Sequence, residues 1–499
     1  MKKLVTLLLA AGLAFGAAAP ASAIDFKAKG EWMMSFEYGQ NGNFQGGHGQ
    51  TGYDGSEDEF NAEQRVRLQL DAVASENLMG EVYFEIGSQN WGQASTGGAL
   101  GADGTVVEVR RAFIDWAVPG TELKIRMGIQ GFNLPSFAMD KSQIFTDDIA
   151  GITFSYKFCD NAGLTGFWFR PYNDNYKGRS DGSQANYMDN VDAFGLTVPL
   201  TFDGVSLTPY GMVAAIGPNA LRGTENHFDN DSTLGASRDQ LIVGLLPAWG
   251  YAGSATAATV KLDQYATAWW AGLTGDITAF DPIHIAFDVM GGAVQWDESR
   301  LNRAGWLAAA LVEYKTEWAI PGIVGWYASG DDDDLGNGSE RMPFLGAAGA
   351  DNQFSNYAFD GIIGISREGA IGTSMAGTWG AGLRVRDISF CESLKHTFRF
   401  NVIGGTNSDN LLKKIRTRYG DSDLAISNSG RTYGVESLYM TTMDTALEFG
   451  LETIWQIYDN MQAVFNADYI NLTQQGNSKV VNGDLRDAWN LSVYFTYEF

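Results

Sequence analysis

The fold is decided by residues 108–130, which read EVRRAFIDWAV (108–118), PG (119–120) and TELKIRMGIQ (121–130). Apolar and charged side chains alternate on both sides of Pro119-Gly120, which predicts two strands joined by a tight turn. A two-residue turn places Trp116 opposite Leu123 and Ile114 opposite Ile125, on an apolar face. The other face carries mostly charged side chains. Such a sheet either packs on a protein core or separates lipid from water.

The rest of the chain repeats this pattern from end to end. We predict eighteen alternating strands, and nearly every second connection between them is short. Short turns on one side and long loops on the other are typical of an up-and-down outer-membrane barrel, whereas a β-sandwich has no reason to sort its connections. The predicted fold class is therefore all-β, a transmembrane antiparallel β-barrel of 18 strands, with 16 strands as the alternative. Either number leaves a water-filled interior.

Basic residues mostly share one face of each predicted strand, opposite the apolar residues. A lipid-facing Arg or Lys near the membrane midplane costs about 2–4 kcal/mol, so these side chains are expected to face the lumen. Arg110 breaks the rule, and we expect it to be tolerated because it lies near a strand end. The predicted basic residues of the pore wall are Arg65, Arg67, Lys124, Arg126, Arg384, Arg386 and Arg399.

The first 23 residues have the pattern of a secretory signal peptide, with a charged start, an apolar run and an Ala21-Ser22-Ala23 ending. We expect cleavage after Ala23, export to the bacterial outer membrane, and one barrel domain over residues 24–499. The net charge of −25 is a poor match to nucleic acid. Cys159 and Cys391 are expected to stay unbridged, the four histidines lack ligand-like spacing, and no cofactor is predicted.

Several features resemble a general porin. They are the export signal, the strand VRRAFIDW (109–116), the long loop after the fifth strand and the terminal Tyr497-Glu498-Phe499. The whole chain resembles, in particular, the outer-membrane homotrimeric porin family of sulfate-reducing bacteria. The resemblance implies a homotrimer of independent pores in outer-membrane lipid and lipopolysaccharide. It also implies that the assembly machinery recognises the C-terminal Phe499.

The resemblance further implies that the loop after strand 5, residues 131–150, folds into the lumen and narrows it. The candidate constriction residues are Asp140, Lys141, Asp147 and Asp148. Arg384, Arg386 and Arg399 lie about half-way round the predicted wall. An acidic loop facing a basic wall would create a transverse field, and such charges set channel selectivity. The alternative is that these aspartates are solvated loop positions.

An acidic run, Asp331, Asp332, Asp333 and Asp334, is a candidate calcium loop because hard cations prefer carboxylate oxygens. It lacks the alternating spacing of a dedicated calcium loop. A solvated acidic loop is the favoured interpretation.

These observations predict a passive diffusion channel for small hydrophilic solutes and ions, and not an enzyme. A substrate-specific channel of the same architecture is the alternative. An outer-membrane lipid hydrolase is a further alternative, which would need a Ser/His pair on the lipid-facing wall. Cation and anion selectivity are both open at this point, because the loops are acidic while the wall is basic.

Overall fold

The computed structural model describes residues 24–40, 44, 59–101, 104, 107–173, 190–217, 220, 241, 244–247, 264–346, 353–359, 369–372, 374–419, 438–475 and 485–499. Within these residues no helix is long and apolar enough to cross a membrane. The predicted signal peptide lies outside the described residues.

The described strands form one closed antiparallel sheet. Each strand pairs with its neighbour in chain order, and the first pairs with the last, so that the described sheet has no free edge. The strands are β1 Asp25–Gln40, β2 Glu59–Ser75, β3 Leu78–Asn90, β4 Val107–Ala117, β5 Leu123–Asn133, β6 Thr146–Cys159, β7 Ala162–Asn173, β8a Asn190–Thr197, β8b Leu200–Phe202, β9 Val205–Ile216, β10 Ala266–Phe280, β11 Ile283–Gln295, β12 Arg303–Tyr314, β13 Ile320–Ala328, β14 Thr378–Cys391, β15 Leu394–Gly405, β16 Thr445–Tyr458, β17 Met461–Thr473 and β18 Ala488–Glu498.

The described part of the wall has eighteen strands, because β8a and β8b are two parts of one strand. Pro199 separates them, since proline has no N–H to give to the sheet. The neighbouring groups keep the strand in place: Val198 N donates to Pro209 O (3.0 Å) and Gly163 N donates to Pro199 O (3.1 Å). The predicted fold class of eighteen strands is confirmed, and the sixteen-strand alternative is wrong.

Connections of two to five residues lie at one end of the barrel, and longer ones lie at the other. The short ones are residues 76–77, 118–122, 160–161, 203–204, 281–282, 315–319, 392–393 and 459–460. One helix, α1 (Asp409–Tyr419), lies in the described part of a long connection. The predicted sorting of the connections is confirmed.

The hairpin between β4 and β5 has a longer turn than predicted. Ile114 pairs with Met127, and Trp116 pairs with Ile125, two residues away from the predicted register. The connection is longer because Val118 N donates to Leu123 O (2.9 Å) and encloses the turn. A shift of two residues leaves every side chain on the same face, because the period of a strand is two.

The outer face of the barrel is apolar, with aromatic rings near both ends. At the short-turn end, Trp318, Phe390 and Tyr458 are exposed, Phe390 by 86%. At the long-loop end, the exposed rings of Trp306 and Tyr327 stack with centroids 5.3 Å apart. Exposed aliphatic side chains lie between the two belts. This is the pattern of a surface that meets hydrocarbon between two membrane interfaces.

A hydrophobic core lies inside the barrel, where long connections fold inward. Trp326 of the wall packs against Phe354 and Phe359 of the connection after β13, with ring centroids 6.1 and 5.7 Å apart. Leu134 and Ile144 of the connection after β5 are buried in the same cluster. The lumen is therefore partly filled at its long-loop end.

Met127→Arg is expected to destabilise the barrel by about 2–4 kcal/mol, because Met127 lies in the middle of β5 and is 38% exposed on the apolar face. The matched control is Ser155→Arg, on the inner face of β6, which is expected to cost less than about 1 kcal/mol since water solvates it. Urea unfolding from lipid vesicles measures both. Equal losses would contradict the assignment of the faces.

Candidate functional site

A chain of ion pairs crosses the inner wall from β1 to β6. Glu31 Oε1 forms a salt bridge with Arg67 Nη1 (3.0 Å), and Arg67 Nε forms one with Glu85 Oε2 (2.8 Å). Glu85 also meets Arg110 (3.0 Å), which in turn meets Asp148 (2.8 Å). Five strands therefore carry alternating negative and positive side chains, and each of these side chains forms a salt bridge with the next one across the sheet.

Two further arginines join this chain. Arg65 Nε lies 3.8 Å from a Glu85 carboxylate oxygen, and its guanidinium donates to Ser88 Oγ (2.8 Å). Arg111 Nε lies 2.6 Å from Asp148, and its guanidinium sits over the Tyr83 ring at 5.3 Å. We call these seven charged residues the ion-pair chain: Glu31, Arg65, Arg67, Glu85, Arg110, Arg111 and Asp148. Four arginines and three carboxylates give it a formal charge of +1.

Arg110 does not face lipid, contrary to the expectation from its parity. The β3–β4 ladder pairs Tyr83 with Arg111 and Phe84 with Val109, which leaves Arg110 as an extra residue in β4. Such a β-bulge re-aims side chains, and here Arg110 and Arg111 reach the same carboxylate, Asp148. The sequence signal for this bulge was the presence of two adjacent arginines in an otherwise alternating strand.

Arg126 forms a second charged site further toward the short turns. Its guanidinium makes two hydrogen bonds of 2.6 Å to the Asp115 carboxylate on β4. It also lies 4.0 Å from the centroid of the Phe113 ring, which is 6% exposed. The cation covers the apolar ring and the carboxylate fixes the cation, which explains why a phenylalanine is tolerated on the polar face.

A cavity of about 560 Å³ opens beside this pair, near the short-turn end. Its lining includes Lys124 and Arg126, together with the Gln130 amide and the hydroxyl groups of Thr153 and Ser155. Two predicted basic residues of the wall therefore line this cavity, together with apolar side chains such as Trp116 and Ile125.

The connection after β5 is shorter than predicted, because β5 continues to Asn133 and β6 begins at Thr146. Asp147 and Asp148 thus belong to β6 and not to the loop. Asp140 is an exposed loop residue in the left-handed region (φ 72°), and its carbonyl accepts from Asn133 Nδ2 (3.3 Å). Lys141, beside Asp140, is half-buried. A constriction formed by Asp140, Lys141, Asp147 and Asp148 stays a prediction.

The tip of this loop is bound to a distant part of the wall. Phe137 N, Ala138 N and Met139 N donate to the Asp288 carboxylate on β11 at 2.9, 2.9 and 3.0 Å. Ser136 Oγ donates to it at 2.8 Å. The loop therefore folds inward and reaches the wall about a third of the way round the barrel.

Two of the three predicted basic residues of β14 and β15, Arg384 and Arg399, bind an inward segment of the connection after β13. Arg384, which is 3% exposed, meets Glu313 (2.7 Å) and donates to Gln353 O (3.1 Å). Arg386 also meets Glu313 (2.7 Å). Arg399 donates to Gln353 O (3.3 Å). These arginines have close partners that the sequence did not reveal, and the transverse field stays a prediction.

The side chains of the acidic run, residues 331–334, bind different partners and do not converge on one point. Asp331 is buried and accepts from Tyr439 Oη (2.7 Å), Asp332 accepts from Asp334 N (2.7 Å), and Asp333 meets Lys414 (3.3 Å). Burial, followed by the charge of Asp331, raises the pKa of Tyr439 well above its ordinary value. Among the described residues, no group of three Asp, Glu, His or Cys side chains could hold a metal ion.

No family model matches the sequence, and no curated protein matches it. Solved structures do match its fold over almost its whole length. OccAB3 of Acinetobacter baumannii is 10% identical, with a TM-score of 0.52, and the match covers 95% of this chain and 100% of that chain. Two Pseudomonas aeruginosa structures are similar as well. OccK2 (OpdF) in complex with glucuronate is 11% identical with a TM-score of 0.51, and OpdQ is 10% identical with a TM-score of 0.50; each match covers 95% of this chain and 98% of the other. At this identity the likeness establishes the fold, and the chain has the closed β-barrel fold of these proteins.

Proposed function

We propose that this protein is an outer-membrane porin, a diffusion channel for small hydrophilic solutes and ions, with no catalytic role. The observation that carries the proposal is the opposite polarity of the two faces of a closed sheet. Outward apolar side chains lie between two aromatic belts, while the ion-pair chain and the Arg126–Asp115 pair lie inside. Charges of this density are stable on the inner face only if water reaches them.

Several finer expectations belong to the same proposal. The protein is a homotrimer in lipid and lipopolysaccharide, as the family resemblance implies, and its signal peptide is cleaved after Ala23. The C-terminal Phe499 is the residue that the outer-membrane assembly machinery recognises. It is partly exposed, and its backbone exchanges hydrogen bonds of 2.9 and 3.0 Å with Gly30 where the barrel closes.

A substrate-specific channel of the same architecture is the second candidate. The 560 Å³ cavity favours it, because cations, an amide and hydroxyl groups converge on one part of the wall. One similar structure was solved in complex with glucuronate. A specific channel would be blocked by its bound solute, so that conductance would fall as the solute concentration rises, whereas a general porin would show no such block.

Conductance in planar lipid bilayers tests both candidates. The folded protein, reconstituted from detergent, is expected to give discrete current steps that scale with salt concentration. A sample of the same protein that has been boiled before addition is the control. Absence of current steps from folded, heat-modifiable protein would reject a channel of either kind.

Glu85→Gln is expected to shift the channel toward anions. The substitution raises the formal charge of the ion-pair chain from +1 to +2. In water, one unit charge about 8 Å from a passing ion contributes about 0.5 kcal/mol, or about a twofold change in the permeability of each ion. The reversal potential in a KCl gradient measures this change.

Glu392→Gln is the matched control, because it removes the same charge from an exposed turn between β14 and β15. Its reversal potential is expected to equal that of the unchanged protein. An equal shift in both variants, or a shift of Glu85→Gln toward cations, would contradict the placement of the ion-pair chain along the conducting path.

A further inference from the structure

Two inward segments are bound to the wall in the same way. In each, a serine hydroxyl and the next three backbone N–H groups donate to one buried wall carboxylate. The first begins at Ser136 and binds Asp288 on β11. The second begins at Ser355 and binds Glu448 on β16, with distances of 2.8, 3.1, 2.9 and 3.0 Å from Ser355 Oγ and the three N–H groups that follow it. We call each arrangement a carboxylate clasp.

Both carboxylates are fully buried, at 0% exposure. Their other hydrogen bonds come from the wall itself. Thr274 Oγ1 on β10 donates to Asp288, and Asn401 Nδ2 on β15 donates to Glu448 (2.7 Å). Successive N–H groups that converge on one point form an anion-binding nest. The negative charge therefore comes from the barrel, and in each clasp four of the donors come from the loop.

The two clasped segments also bind each other. Gln353, two residues before Ser355, donates from Nε2 to Phe137 O (3.2 Å) inside the first segment. Arg384 and Arg399 of the wall donate to Gln353 O (3.1 and 3.3 Å). The segments and their clasps are thus one connected body within the lumen, fixed to β11 on one side and to β16 on the other.

We propose that Asp288 and Glu448 are positioning residues that set the width of the channel by holding these two segments inside the lumen. The inference rests on the proposed channel function. A segment released from its clasp loses four hydrogen bonds to a charged acceptor. It then moves within the lumen, so the open cross-section of the channel becomes larger and fluctuates. Loss of one clasp is expected to affect its own segment more than the other segment, because the four loop donors of each clasp lie on four consecutive residues.

The test compares Asp288→Asn and Glu448→Gln with the unchanged protein by two measurements. Hydrogen–deuterium exchange in detergent micelles follows the clasped amides directly. We expect exchange at residues 137–139 to rise about tenfold or more in Asp288→Asn, and at residues 356–358 in Glu448→Gln, the change that corresponds to losing one hydrogen bond to a charged acceptor. Single-channel conductance, and the size limit for sugars entering vesicles, are expected to rise in both.

Asp276→Asn is the matched control, since it removes an inward carboxylate that meets His284 on the neighbouring wall strand (2.6 Å). Its loop exchange and its sugar size limit are expected to stay unchanged. Ser136→Ala and Ser355→Ala remove one donor from each clasp and leave wall charge intact. They are expected to raise amide exchange and the sugar size limit by smaller amounts. They replace the carboxylate variants in the test if one of those fails to fold.

If amide exchange at both segments is unchanged in folded variants, the clasps do not hold the segments and the proposal is overturned. Raised exchange with an unchanged sugar size limit would overturn their role in setting the width, as would an equal rise in the Asp276→Asn control. The exchange measurement does not depend on conduction. It therefore separates a failure of the clasps from a failure of the proposed channel function.

Discussion

Closure of the sheet is the constraint on which the rest of the structure depends. In hydrocarbon, backbone N–H and C=O groups have no water to bind, so only helices or closed barrels satisfy them. Here β1 pairs with β18, and the terminal Phe499 exchanges backbone hydrogen bonds with Gly30. Once the sheet is closed, strand alternation separates the side chains into an outer and an inner set. The outer set is apolar, and the inner set is free to carry charge.

The inner set is organised differently on the two sides of the lumen. Along β1 to β6 the charges pair mainly with charges on other strands of the wall, as Arg110 on β4 does with Glu85 on β3 and Asp148 on β6. Along β11 to β16 the inward polar side chains bind loop backbone, as Asp288 and Glu448 do. The first arrangement leaves a polar wall facing the lumen. The second fixes loops inside the barrel, so the proposed conducting path runs beside the ion-pair chain.

Alternation with a period of two predicted the strands, their number and their faces, because this signal is local and repeats along each strand. The same period hides a shift of two residues, which is why the hairpin at Pro119-Gly120 was placed in the wrong register. The bulge at Arg110 breaks the period and inverts the expected face. The clasp at Asp288 was missed because its partner Phe137 lies 151 residues away, and no local pattern links them. Long-range pairing of this kind depends on the closed barrel.

The opposite polarity of the two faces is tested most directly by a cysteine scan of β5 in lipid vesicles, with Cys159 and Cys391 first replaced by serine. A water-soluble maleimide is expected to modify positions 124 and 126, while a lipid-attached quencher is expected to reach positions 125, 127 and 129. Neighbouring positions with equal reactivity, or alternation in the opposite phase, would contradict a barrel that holds hydrocarbon outside and water inside.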